Sequence, residues 1–241
     1  MTQPRFADVM LLAAGLGKRM LPLTETLPKP LITVGGIALL DRVIDNAAAD
    51  GATHFVVNTH HHAAQIADHV ETLRKTRPTL SFALSPEPEQ LLDTGGGVKQ
   101  ALPLLRTDPI LVLNTDAFWP AGTDQPLARM AKVFAERSAD LVLLCAHPRR
   151  ATGFRRSHDF CLDPHGRITL DTGAPVIYAG AALIAKKLFD GTPDGPFSLY
   201  TVFERALEAG TIFGVALDAP WLHVGDPQAL AEAEALLAQV A

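Results

Sequence analysis

The chain has 241 residues, 48% of them hydrophobic and 20% charged, with a formal net charge of -5. That length buries a sizeable core, and the acidic balance excludes the broad basic footprint of a nucleic-acid binder. The two cysteines, Cys145 and Cys161, build neither a disulfide framework nor a zinc spacing and read as reduced core thiols.

Taken in chain order, the first two-thirds alternates strand and helix signals. Residues 9–14 form an apolar run that ends in glycines, as a buried parallel strand does. Residues 39–49 have helical spacing and stop at Asp50-Gly51. A strand is predicted over 54–58, a helix over 63–75 and a strand over 80–84. Residues 94–105 read as a helix bent or ended by Pro103. Strand 110–113, helix 126–137 and strand 141–146 follow. Strands separated by helices of this length mean βαβ units and a parallel sheet. From 147 the pattern changes to short runs, with Pro164-His165-Gly166 as a hairpin turn between 160–162 and 167–170. A strand over 176–184, a helix over 199–209, a strand over 212–217 and a terminal helix over 227–240 complete the chain. The expectation is a single α/β domain with a mostly parallel, Rossmann-like sheet and a small mixed β insertion at about 147–180. Met1-Thr2-Gln3-Pro4-Arg5 has no signal-peptide form and no apolar run is long enough to cross a bilayer, so a cytoplasmic protein without membrane contact is expected.

Several segments carry chemistry. Ala13-Ala14-Gly15-Leu16-Gly17-Lys18-Arg19-Met20 follows the first strand. Its glycines let backbone amides approach an anion, and Lys18 and Arg19 add charge beside them. A Rossmann dinucleotide loop needs a third glycine where Met20 stands, and a Walker loop needs a terminal Gly-Lys-Ser/Thr that is missing. An isolated loop of this kind would read as a plain strand-to-helix turn. Pro28-Lys29-Pro30 then holds a lysine in an extended segment, a candidate phosphate clamp. Asp93-Thr94-Gly95-Gly96-Gly97 opens a helix with three glycines, a costly start unless a partner approaches closely. Asn114-Thr115-Asp116 ends an apolar strand, so Asp116 is expected at the sheet edge where ligands of open α/β proteins bind. His60-His61-His62 looks like a metal cluster, but adjacent residues diverge, so these are expected to cap and begin the next helix. Asp226-Pro227 is a helix start, with Asp226 as its cap.

Ala13-Ala14-Gly15-x-Gly17-x-Arg19-Met20 with the later Pro28-Lys29-Pro30 resembles the signature of the sugar-1-phosphate nucleotidyltransferases, or sugar-nucleotide pyrophosphorylases. The resemblance runs from about residue 8 to the end and implies a fold of the glycosyltransferase-A type. It implies partners too: a nucleoside triphosphate, a sugar 1-phosphate and Mg²⁺; the sequence shows no hexapeptide-repeat tail of the kind that trimerises larger relatives, so a monomer or homodimer is expected. By this resemblance Ala13, Ala14, Gly15, Gly17, Lys18, Arg19, Lys29, Thr94 and Gly95 bind the nucleotide, with Arg19, Lys29 and Asp116 catalytic and Asp116 holding the metal. Asn114, Asp159 in His158-Asp159-Phe160 and Gly180 in Tyr178-Ala179-Gly180 match sugar-side positions, although the last two are equally open to a structural role. The run Ser85-Pro86-Glu87…Asp93-Thr94-Gly95-Gly96-Gly97 and the short length most resemble N-acetylmuramate 1-phosphate uridylyltransferases of bacterial cell-wall recycling. That implies UTP; the alternative is a mannose-1-phosphate guanylyltransferase. A non-catalytic sugar-nucleotide sensor and a glycosyltransferase are the readings of another class, the latter opposed by the single acid in Asn114-Thr115-Asp116.

The departure from the pattern is Trp221-Leu222-His223-Val224-Gly225, where His223 stands at the family's second metal-binding Asp. His223 is open to three roles: contact with phosphate, ligation of Mn²⁺ or Co²⁺ in place of Mg²⁺, or packing against Trp221.

Overall fold

The runs read as buried strands become the inner strands of a nine-stranded sheet. The computed structural model describes residues 8–122 and 125–240, and the N-terminal stretch expected to have no signal-peptide form lies outside them. The strands are β1 (Val9–Leu12), β2 (Thr33–Val34), β3 (Ile37–Ala38), β4 (His54–Thr59), β5 (Ser81–Pro86), β6 (Ile110–Asn114) and β7 (Ala117–Phe118). They continue with β8 (Leu141–Ala146), β9 (Ala151–Thr152), β10 (Phe160–Leu162), β11 (Ile168–Thr169), β12 (Ala174–Ile184), β13 (Ile212–Leu217) and β14 (Trp221–His223). The helices are α1 (Leu39–Ala49), α2 (Ala63–Thr76), α3 (Asp93–Ala101), α4 (Pro126–Glu136), α5 (Tyr200–Glu208) and α6 (Pro227–Val240).

Strands β5, β4, β1 and β6 lie side by side and parallel. The long β12 then runs antiparallel to both β6 and β8, and β13 pairs parallel with β8. The sheet is buried on both faces, because alternate residues of each strand point to opposite sides. Val9 and Leu11 of β1, Leu111 and Leu113 of β6, and Val142 and Leu144 of β8 pack with α1, α2 and α4. Met10, Val112, Leu141 and Leu143 pack on the other side with α3 and α5. This is a single α/β domain of three layers, as the alternation of the sequence predicts.

Some bounds and pairings near the site differ from expectation. The first strand stops at Leu12, because the Ala13 N–H leaves the ladder to donate to Asn58 Oδ1 at 2.7 Å. The third helix stops at Ala101 and passes into a 3₁₀ turn, Leu102–Leu104, that contains Pro103. The segment 147–180 does hold the expected hairpin, with Asp163 Oδ1 accepting from the His165 and Arg167 amides. Its first strand, β9, instead joins β14 and β7 in a separate three-stranded sheet. These strands are two or three residues long, too short to show a period in sequence.

The glycine triplet is packed closely against the rest of the protein. The amides of Gly95 and Gly96 both donate to Phe197 O, at 2.8 and 3.1 Å. A Cβ on Gly95 would lie 2.4 Å from the Phe197 ring, one on Gly96 2.3 Å from Gly195 O, and one on Gly97 2.8 Å from the side chains of Asn58 and Glu87. The closely approaching partner is protein. The histidine triplet gathers no metal site: His61 and His62 Nε2 lie 3.1 and 3.4 Å from Thr24 O, and His60 Nδ1 lies 2.7 Å from Glu87 O. His62 is the N-cap of α2, in left-handed backbone, with no side-chain cap bond. Asp226 caps α6 as expected, its Oδ1 accepting from the Ala229 amide at 2.8 Å.

Gly96→Ala tests this packing by sign. In an exposed helix interior the change gains about 1 kcal/mol. Here overpacking against a backbone carbonyl is expected to give a net loss of about 1–2 kcal/mol, read by urea unfolding; a gain would contradict the account.

Candidate functional site

Parallel strands leave their carboxyl ends along one edge of a sheet, and the segments after β1, β4 and β6 converge there. They enclose a cavity of about 340 Å³, lined among others by Ala13, Ala14, Gly15, Gly17, Lys18, Arg19, Lys29, Asn58, Thr94, Asn114 and Asp116. Nearly all the residues expected to meet a nucleotide are thus brought together. Gly95 is not among the lining residues, and its amide is spent on Phe197.

The loop after β1 is anchored by the fully buried Met20, whose amide donates to Gly17 O at 2.8 Å. Gly17 takes φ +61°, and Thr24 Oγ1 donates to its carbonyl at 2.9 Å. Lys18 and Arg19 stay exposed beside the cavity. Beneath the loop lies a buried polar floor that sequence reasoning missed. Asn58 accepts from Ala13 N and donates to Glu87 Oε1, both at 2.7 Å, and Glu87 Oε2 accepts from Leu92 N at 2.8 Å. Thr115 Oγ1 donates to Leu12 O at 2.7 Å and ties the ends of β6 and β1. The signal for Asn58 was a polar residue closing an apolar strand, the same signal that singled out Asp116. Thr94 lines the cavity, but its hydroxyl already accepts from Leu199 N at 2.9 Å.

Lys29 is not extended as expected. Pro28 is extended, and Lys29 opens a 3₁₀ turn, Lys29–Leu31. That turn directs Lys29 Nζ onto Asp116 Oδ2 at 2.6 Å, with the two side chains only 12% and 25% exposed. Burial opposes ionisation of Asp116, but the Lys29 ammonium and then His223 outweigh it and hold the carboxyl well below its usual range. His223 Nε2 lies 3.6 Å from the same oxygen. The small sheet places it there: His223 pairs with Ala117, and the Val224 amide donates to Asp116 O at 2.8 Å. The His223 ring also lies parallel to Trp221, centres 5.8 Å apart, and Nδ1 is 3.4 Å from Gly153 O. Packing against Trp221 and proximity to Asp116 therefore coexist.

Two further cavities, of about 370 and 390 Å³, share Asn114 with the first. Asp159 lines both, its Oδ2 accepting from the Tyr178 amide at 3.0 Å and its Oδ1 lying 2.6 Å from Arg156 Nη2. Burial raises the Asp159 pKa, and Arg156 opposes the rise. Gly180 lines none of the three. At φ +81° it lets β12 pass Asn114, whose Cβ lies 3.1 Å from where a Gly180 Cβ would stand. Arg155, Arg156 and Tyr178 border these cavities and were not singled out as site residues. The arrangement concentrates cations and loop amides around one carboxylate in a chain of net negative charge, which suits a polyphosphate ligand. No helix among the described residues is long and apolar enough to cross a membrane.

Comparison with known proteins agrees with this geometry. Residues 8–154 match the nucleotidyl transferase family. The chain is 37% identical over 233 residues to N-acetylmuramate alpha-1-phosphate uridylyltransferase of Caulobacter vibrioides, covering 95% of this chain and 96% of that protein. The protein of the same name from Neisseria meningitidis serogroup B is 32% identical, with 94% and 96% covered. UTP-bound UGPase from Acinetobacter baumannii shares the fold at a TM-score of 0.76 and 18% identity, with 98% of this chain and 94% of that one covered. Agreement along almost the whole of both sequences, on a sheet that brings the loop, the lysine and the carboxylate into one cavity, makes this chain a member of the nucleotidyl transferase family.

Proposed function

We propose that the chain transfers a uridylyl group from UTP to N-acetylmuramate 1-phosphate and releases pyrophosphate. The observation that carries this reading is the convergence of Arg19, Lys29 and Asp116 on one cavity, in a chain that aligns end to end with relatives of that name. A sugar phosphate has a second pKa of about 6 and is largely dianionic at neutral pH, so the attack needs no general base. Its oxygen bonds to the α-phosphorus as the α–β bridging bond breaks, and the electron pair leaves with pyrophosphate. The chain's task is to hold two anions together and screen them. In this reading the loop amides and Arg19 hold the β- and γ-phosphates, and Lys29 screens the α-phosphate and the attacking one. The sugar lies beyond Asn114, towards Asp159.

A divalent cation fits Asp116. A cation, the Lys29 ammonium, already rests on its Oδ2, and the carboxylate is held ionised. Among the described residues no three His, Cys, Asp or Glu side chains gather around an ion. Asp116, with His223 beside it, would be the protein's share of the ligands, leaving phosphate and water to complete the shell, as Mg²⁺ tolerates; the imidazole suits Mn²⁺ or Co²⁺ better. When bound, the cation neutralises phosphate charge. A cytoplasmic monomer or dimer accompanies this reading, since the triphosphate is a cytoplasmic substrate and one chain supplies all of these groups.

Three outcomes are expected. Arg19→Ala and Lys29→Ala each lower kcat about 100-fold or more. Arg19→Ala leaves thermal stability unchanged because its side chain is exposed; near-normal turnover in either variant removes that residue from the mechanism. By calorimetry, Mg²⁺ binds weakly to the free protein and tightly once UTP is present, and His223→Asp strengthens binding about tenfold or more; tight binding without nucleotide, or an unchanged Asp variant, contradicts the metal assignment. In a pyrophosphate-release panel of four triphosphates and several sugar 1-phosphates, UTP with N-acetylmuramate 1-phosphate gives the highest kcat/KM. A GTP preference would point to the mannose enzyme, and binding without pyrophosphate release to a sensor.

A further inference from the structure

Arg156 stands where the second and third cavities meet and does not border the first. Its Nη2 pairs with Asp159 Oδ1, and its guanidinium carbon lies 5.5 Å from the centre of the Phe154 ring. A carboxylate on one side and an aromatic face on the other fix the orientation of the group. The contact is an ion pair without a hydrogen bond, and the side chain is 74% exposed, so the five-donor fork remains open to a ligand. Of the three arginines that line the second cavity, only Arg156 also lines the third. Arg155 Nη2 lies 3.1 Å from Glu232 and 3.6 Å from Asp226, both at α6, and Arg19 lies between the first and second cavities. Asn114 lines all three cavities and connects the Lys29–Asp116 pair to Arg156. A sugar 1-phosphate with its phosphate at Lys29 has, past Asn114, the cavities that Arg156 borders open to its ring substituents. The Tyr178 hydroxyl, buried and without a hydrogen-bond partner among the described residues, is a second donor at the same junction.

We propose that Arg156 determines acceptor specificity by gripping a carboxylate carried on the sugar, through paired, charge-assisted hydrogen bonds. The inference rests on the acceptor named under the proposed function. An N-acetylmuramate carries such a carboxylate on its lactyl ether, whereas N-acetylglucosamine is its neutral counterpart.

The test is a two-by-two comparison of kcat/KM at fixed UTP: N-acetylmuramate 1-phosphate and its carboxyl methyl ester, each with the wild type and with Arg156→Ala. The wild type is expected to favour the acid over the ester by about 30-fold, the scale of a charge-assisted hydrogen-bonded pair. Arg156→Ala is expected to lose that preference and Arg156→Lys to keep part of it, with melting temperatures confirming that both variants fold. If Arg156 only positions Asp159, the alanine variant slows acid and ester alike and keeps the preference. That result overturns the inference and leaves the substrate reading intact. A wild type that prefers a neutral sugar 1-phosphate overturns both.

Discussion

The parallel pairing of β6 with β1 sets Leu12 opposite Asn114, and the geometry of the cleft follows from that register. Both strands are completely buried until their last residues, so their side chains are interchangeable core up to that point and chemical beyond it. A slip of one residue would turn Leu11 and Leu113 out of one core and into the other. The same slip would carry Asp116 away from Lys29. The Thr115 hydroxyl on the Leu12 carbonyl and the Asn58 amide on the Ala13 N–H fasten the exit of the strands, so that the loop leaves the sheet in one direction.

On that edge the charges are arranged as a set. The Lys29–Asp116 pair is largely shielded from water, which makes each partner costly to leave alone, and the ammonium keeps the carboxylate ionised in spite of burial. A cation therefore rests on the carboxylate before any ligand arrives. His223 approaches the same oxygen because a three-stranded ribbon of very short strands ties 117–118, 151–152 and 221–223 together. The imidazole is thereby placed both against Trp221 and beside Asp116, so its packing and its chemistry share one cause.

The three glycines of α3 have a packing reason of their own. Their close approach is to the 195–197 segment and to the Asn58–Glu87 pair, which closes the helix against its neighbours. A costly glycine-rich helix start thus has the closely approaching partner that it requires. Gly180 behaves in the same way, since its left-handed backbone makes room for Asn114 rather than bordering a cavity itself.

The sequence by itself determined the α/β class, the order of the main strands and helices, and the loop, lysine and carboxylate that line the first cavity. Those features are written in local periods and spacings: buried runs in β1, β6 and β8, a glycine loop after a strand, an acid at a strand end. Only the tertiary structure decided that Lys29 meets Asp116 across 87 residues, and that Asn58 holds Glu87 across 29. It alone brought Arg156 to the meeting of two cavities and set the amides of Gly95 and Gly96 on Phe197. The physical reason is that local patterns report which face of an element is buried, whereas a polar contact depends on which distant backbone the packed sheet places opposite it.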